Sequence, residues 1–296
     1  MLPIELWQAI SEYLDVSGVL AVSSLAREFR HYIFLLYLVR PRNLDSAVYL
    51  PLLRNLTRLD LSKAIKVHPR TLAKLTKLRE LDISYNPYIT QLNHPNLEKL
   101  RARSFCSFRC GLNKLGSLPK LTSLDLANNG SIKDISMVPM LQHLDISGFS
   151  AIGDRELASM TRLVSLVIDG NRRVTRLKHF ESLTSLSARD TLIDQEEVVG
   201  LRKLRDLILD RTYTVYDLAP LSKTLVSLSL NHGCHPDLHQ SLAGLHLKKL
   251  LIVDNPFISV VKSDTLTELD STRCWLEELV CPKLIEHRRE PLLGET

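Results

Sequence analysis

A hexad of the form Leu-x-x-Leu-x-Leu, varying at its last position, recurs eleven times from Leu56 onward. It reads LTRLDL at 56–61, LRELDI at 78–83, LTSLDL at 121–126, LQHLDI at 141–146 and LVSLSL at 225–230. The other copies start at Leu97, Leu163, Leu183, Leu204, Leu247 and Leu266, and a degenerate twelfth follows at Leu284. Successive starts lie 18 to 24 residues apart. The second and third leucines of a hexad are separated by one residue, so they share one face of a short strand. One such unit cannot bury its leucines alone; stacking the units in parallel merges those faces into a continuous core. Leucine accordingly supplies 59 of 296 residues, while aromatics are sparse at 6%.

This hexad and period resemble the leucine-rich repeats. The resemblance implies an α/β chain: a solenoid of about 11–12 repeats with a parallel concave sheet over residues 46–284. About a dozen residues per repeat return along the outer side, room for short helical turns such as Pro69 to Leu78 and Asp154 to Leu163. Asn86, Asn129, Gly148, Asn171 and Asn255 follow the hexads and suit the tight turn that leaves each strand. An open stack exposes apolar surface at its ends, so caps are expected. Arg27 to Val39 reads as a helix stopping before Pro41 that covers the first repeat. Trp275, Leu276, Leu279 and Val280 are expected to cover the last strand, with a tail over 285–296.

Residues 1–45 form a different module. Ile4, Trp7, Ile10 and Leu14 fall near one helical stripe, with Pro3 and Glu5 suited to its first turn. Asp15 to Gly18 breaks that helix, and a second apolar segment follows at Val19, Leu20, Val22 and Leu25. Three short helices make too small a core to stand alone, so their apolar residues need a covering surface. That surface is either the solenoid, which the module then caps, or a second protein.

The same segment resembles the F-box. The family pattern opens Leu-Pro-x-Glu-Leu, met by Leu2, Pro3, Glu5 and Leu6, and continues with Ile10, Tyr13, Leu14, Asp15, Val19 and Leu20. It closes on Ser24, Leu25, Arg27, Phe29 and Arg30. The resemblance implies a three-helix domain that docks on the Skp adaptor of cullin–RING ubiquitin ligases, with Leu2, Pro3, Ile4, Leu6, Trp7, Ile10 and Leu20 as the adaptor contacts. An F-box followed by leucine-rich repeats is similar to the substrate receptors of Skp–cullin–F-box ligases, in which the repeats hold the target. The repeats here are shorter than is usual in plant and animal members and look like bacterial ones. That combination suggests a translocated bacterial effector acting in host cytoplasm; otherwise the cytoplasm of a eukaryotic cell is implied.

Other function classes find little support. The net charge of +5 is too mild to imply nucleic acid, even with Phe105, Phe108 and Arg109 near Arg101 and Arg103. No run of 18 apolar residues reads as a membrane span, and no secretory leader is visible at Met1. Five cysteines, at 106, 110, 234, 274 and 281, suit free thiols in a reducing compartment. Cys106 and Cys110 read as small repeat-core residues, and the His232–His239 segment as a structural loop, not a zinc site. No phosphate-cradling loop or nucleophile elbow appears, so neither catalysis nor a cofactor or metal is expected.

The polar strand positions face the concave side. Their middle column begins Asp60, Asp82, Arg101, Asp125, Asp145, and its aspartates are typical of such repeats. Its breaks carry more information. Arg101 and Arg103, beside Lys99, place a basic spot in an acidic column, while Val167, Ile208 and Leu251 expose apolar groups. Asp169, Arg189, Asp210, Arg211 and His232 lie alongside, and mixtures of apolar and Arg surface suit protein interfaces. These ten residues are the expected contacts to an unidentified target protein. The leading expectation is a non-catalytic substrate receptor of an SCF-type ligase, working by proximity. The alternative is a non-ligase interaction protein whose N-terminus is only a cap or sequesters the adaptor.

Overall fold

A computed structural model describes residues 37–39, 56–63, 67, 69–104 and 114–289. The chain divides into two compact units: residues 1–141 with 150–152, and 142–149 with 153–296. The F-box-like segment and its adaptor contacts Leu2, Pro3, Ile4, Leu6, Trp7, Ile10 and Leu20 lie outside the described residues, as do Cys106 and Cys110.

In the first unit, strands β1 (Tyr37–Val39), β2 (Arg58–Asp60), β3 (Glu80–Asp82), β5 (Lys99–Arg101) and β7 (Ser123–Asp125) pair in that order, all parallel. On the return side, β4 (Gln91–Leu92) pairs with β6 (Lys114–Leu115). The second unit repeats the plan. Its ladder runs β8 (His143–Asp145), β9 (Ser165–Val167), β10 (Ser185–Ser187), β11 (Asp206–Ile208), β12 (Ser227–Ser229), β13 (Lys249–Leu251), β15 (Glu268–Asp270) and β17 (Glu286–Arg288). On its return side, β14 (Val260–Lys262) pairs with β16 (Glu278–Val280). The register aligns the central leucine of one strand with that of the next, for instance Leu186 with Leu207 and Leu207 with Leu228, until β17, where His287 stands opposite Leu269.

The core follows from the hexad. Leu56, Leu78, Leu121, Leu163 and Leu204, each opening a hexad, are fully buried, as are Leu61, Leu126, Leu209 and Leu230 at its close. Burying one such side chain is worth roughly 1.5–3 kcal/mol. A second apolar set closes the core from the return side, for example Val174, Leu177 and Phe180, or Val215, Leu218 and Leu221. The helices there are short: Pro69–Lys74, Asp154–Leu157, Gln195–Val199 and Leu238–Leu242. Roughly a dozen residues must both cross the core and return, which leaves about one helical turn.

Four expectations change. Tyr37–Val39, the end of the expected capping helix, is a strand paired in register with Arg58–Asp60. Trp275, Leu279 and Val280 do not cover the last strand: Trp275 is 73% exposed and Val280 49%. The ladder passes residue 284, because Glu286–Arg288 pairs with Glu268–Asp270 and takes up residues assigned to the tail. The turn residues also move. Counting the first leucine of each hexad as position 1, positive φ falls at position 8, at Tyr85 (59°), Asn128 (58°), Gly170 (66°) and Asp254 (53°). Of the five residues expected to make the turn, only Gly148 (68°) occupies that position.

The asparagines at position 9 do something else. Asn86, Asn129, Asn171 and Asn255 are buried, and each donates Nδ2 to a carbonyl of the preceding repeat: Leu61, Ala102, Ile146 and Leu230. Their Oδ1 atoms accept backbone N–H groups of their own loop, such as Ile89, Ile132, Arg173 and Phe257. Where asparagine is missing, the Thr212 hydroxyl donates to Ala188 O (2.7 Å) and the Cys274 thiol to Ile252 O. Buried backbone groups require such partners once the strand ends. The left-handed residue before an asparagine is held because its own N–H stays on the ladder, as Tyr85 N on Arg103 O and Asp254 N on Thr272 O.

Candidate functional site

The solvent-facing side of each ladder is made by positions 3, 5, 7 and 8. Its first demand is internal: the N–H at position 7 lies beyond the strand and takes a side-chain acceptor. Where position 5 is aspartate, that carboxylate accepts it. Asp60 takes Ser62 N, Asp82 takes Ser84 N, Asp125 takes Ala127 N, Asp145 takes Ser147 N and Asp270 takes Thr272 N, at 2.8–3.2 Å. The aspartate column is thus structural in both units.

In the second unit the arrangement shifts by one repeat. Position 5 is serine at Ser187 and Ser229, and the acceptor comes from position 7 of the preceding repeat. Asp169 accepts Ser187 Oγ (2.6 Å) and Arg189 N (2.9 Å). Asp210 accepts Ser229 Oγ (2.6 Å) and Asn231 N (2.8 Å), and Asn231 Oδ1 accepts Val253 N (2.7 Å). Asp210 is only 5% exposed, and Arg189 bridges Asp169 (3.7 Å) and Asp210 (3.3 Å). Both aspartates, expected as target contacts, are hydrogen-bonded struts of the ladder. A nearly buried carboxylate that already accepts two short bonds has little left for a partner.

The apolar breaks are brought together. Register places Val167, Ser187, Ile208, Ser229 and Leu251 on five consecutive rungs. The two serines are buried, while Val167, Ile208 and Leu251 are half-buried. The result is a ridge of three separated apolar side chains flanked by Arg189 and exposed Arg211. His232 faces Asp254, with Nδ1 at 3.3 Å from the carboxylate. The basic spot expected in the first unit largely dissolves: Arg103 pairs with Asp125 at 2.6 Å and Lys99 with Glu80 at 3.0 Å. Arg101 alone of that group is exposed with no ion pair among the described residues.

Sequence reasoning passed over the loop side of this ridge. Leu192, Tyr213, Tyr216 and Phe257 are 59%, 49%, 50% and 39% exposed, a few residues after the positive-φ turns. Gly233, at φ 108°, permits the Tyr213 placement: a Cβ there would stand 2.7 Å from the tyrosine hydroxyl. Tyr216 packs against His235 with ring centroids 5.8 Å apart. The signal was available, since aromatics just past position 9 stand out in a chain that otherwise fills its core with leucine.

The thiols among the described residues show no activation. Burial pushes the Cys234, Cys274 and Cys281 thiols up, away from the reactive thiolate. In the His232–His239 segment the imidazoles take separate partners, His235 Nδ1 accepting Asp237 N and His239 Nδ1 facing Pro236 O. Among the described residues no group of three His, Cys, Asp or Glu converges, and no helix is long and apolar enough to cross a membrane.

Comparison with solved structures supports the repeat architecture. The chain is similar to an internalin, InlF, from Listeria monocytogenes at 18% identity, over 89% of each chain, with a TM-score of 0.53. It is similar to the functional domain of InlJ from the same organism at 17% identity, over 83% of this chain and 60% of that one, with a TM-score of 0.51. No family model and no curated protein matches the chain. At this identity the likeness establishes the fold alone, a leucine-rich-repeat stack.

Proposed function

We propose that this is a protein-capture scaffold whose target seats on the open sheet face of the second unit. One observation carries the reading: Val167, Ile208 and Leu251 stand part-exposed on alternate rungs, beside Arg189 and Arg211 and next to an edge bearing Tyr213 and Tyr216. Arg and Tyr around a partly buried apolar centre is the composition of binding hot spots. Replacing both Val167 and Ile208 by Asp should remove target capture while leaving the fold intact, since both side chains border solvent. Cross-linking and affinity purification from eukaryotic cells, with circular dichroism as the folding control, tests this. Capture that survives the double substitution refutes the assignment.

The finer reading rests on the F-box-like residues 2–30. In it the protein performs no chemistry of its own. It works in the cytoplasm of a eukaryotic cell, where the N-terminal module binds the Skp adaptor and the repeats hold a target near the cullin–RING ubiquitin machinery. Leu2→Ala with Pro3→Ala should abolish binding to purified Skp adaptor without changing the melting of the repeats. Unchanged co-purification rejects the adaptor contact and leaves the capture scaffold standing.

A further inference from the structure

The rim of the sheet at the start of each strand has a repeating address: the two positions before the first hexad leucine and the one after it. In the first unit these positions line a shallow groove that includes Lys77, Arg79, Asn96, Glu98 and Lys120. Charge there is answered locally. Arg79 pairs with Glu98 at 3.1 Å, and Lys120 Nζ donates to Asn96 Oδ1 at 2.8 Å.

In the second unit the same address holds Arg202, Lys203 and Arg205 on one rung, Lys223 on the next, and His246 and Lys248 on the third. All six are exposed. Backbone bonds stack these rungs directly, Val226 N on Arg205 O (2.8 Å) and Lys248 N on Val226 O (2.8 Å), and His246 Nδ1 lies 3.2 Å from Ser222 O. None of the five Lys and Arg side chains makes an ion pair among the described residues. The rim positions of these rungs hold no acid; Glu181 and Asp264 occupy the rungs on either side. Parallel strands lie roughly 4.8 Å apart, so five cations fall within about 10 Å along the rim.

We propose that this rim is a docking site for an acidic polypeptide segment, separate from the capture face. Charge complementarity selects an anion. Two features select a polypeptide over nucleic acid or membrane. No Phe, Tyr or Trp stands at these rim positions, so bases have no stacking platform. No large apolar side chain is exposed there to anchor in a bilayer, the interior-facing Leu245 being buried. An extended acidic strand, at roughly 3.3 Å per residue, sets several carboxylates against three rungs at once.

The test uses the full chain and a fluorescent oligo-glutamate peptide, followed by anisotropy at low and physiological salt. The peptide should bind, more weakly as salt rises. Reversing three charges, R202E with R205E and K248E, should weaken it by roughly tenfold or more. Lys120→Glu in the first unit, and Val167→Asp on the capture face, should leave it unchanged. The neutral set R202Q, R205Q and K248Q serves if the reversed set unfolds, and should give a smaller loss in the same direction. Absent binding at low salt, or binding indifferent to both sets, overturns the proposal. So does binding of single-stranded RNA or phosphatidylserine vesicles through these residues while the peptide stays free. Failure here leaves target capture by Val167 and Ile208 unaffected, because the two are read by different variants.

Discussion

Arg79, in the first unit, reaches Glu98 across one rung, whereas Arg205, at the matching position of the second unit, makes no ion pair among the described residues. The open faces differ in the same way. In the first unit, Arg58 and Lys99 both pair with Glu80, and Arg103 pairs with Asp125. In the second, the corresponding columns carry Val167, Ile208 and Leu251 and struts drawn from a neighbouring repeat. One backbone plan thus supports a first open face laced with ion pairs and a second that combines ion pairs, such as Lys249 with Glu268 at 3.0 Å, with part-exposed apolar residues. Exposed ion pairs add little stability, typically below about 1 kcal/mol.

The comparison breaks hardest if the shared plan is not shared. Asn129→Ala in the first unit and Asn171→Ala in the second each orphan one buried carbonyl and at least one loop N–H. Each should cost about 2–4 kcal/mol, and by similar amounts, in urea unfolding. A large inequality means that the two units do not use the ladder alike. Asp210→Ala comes next, at about 1–3 kcal/mol, because it frees Ser229, Asn231 N and one partner of Arg189 in a buried setting. Asp82→Ala, which caps the single Ser84 N–H, should cost about 1 kcal/mol or less. If the two aspartates weigh equally, the strut assigned to Asp210 is wrong.

The smallest effect is a pH dependence carried by the first unit's His94. Its ring is buried, Nε2 faces Leu75 O at 2.8 Å, and Nδ1 has no partner among the described residues. A proton on Nδ1 is therefore unsatisfied, and burial lowers the imidazole pKa below its ordinary 6.5. Below that value the unfolded chain binds the proton before the folded one. Stability is complete above about pH 6.5 and declines as pH falls toward the lowered folded value. His94→Gln should flatten that part of the curve of unfolding midpoint against pH. An unchanged slope assigns the dependence to other groups.

Much of the fold was legible because the repeat is redundant: any two hexads predict the strand, its parallel neighbour and the buried leucine between them. The ends were not legible, since a terminal strand has one neighbour and an ambiguous pattern. Thus Tyr37–Val39 reads as helix yet pairs as strand, and Glu286–Arg288 reads both as a degenerate twelfth hexad and as tail. In the candidate site, the part-exposed placement of Val167, Ile208 and Leu251 was legible from their column alone, because apolar residues at solvent-facing positions violate the pattern. The strut role of Asp169 and Asp210 was not legible because their partners, Ser187 and Ser229, lie 18 and 19 residues away.

The sequence by itself determined the stack: a period near 21 residues with leucine at fixed offsets admits one way of burying them, in parallel and in register. Tertiary structure alone decided which polar and charged side chains are left over. Whether an aspartate is a strut or a lysine is answered depends on the rung beside it, and hydrogen bonds and ion pairs act over about 3–4 Å, a proximity that residues some twenty positions apart acquire only on folding.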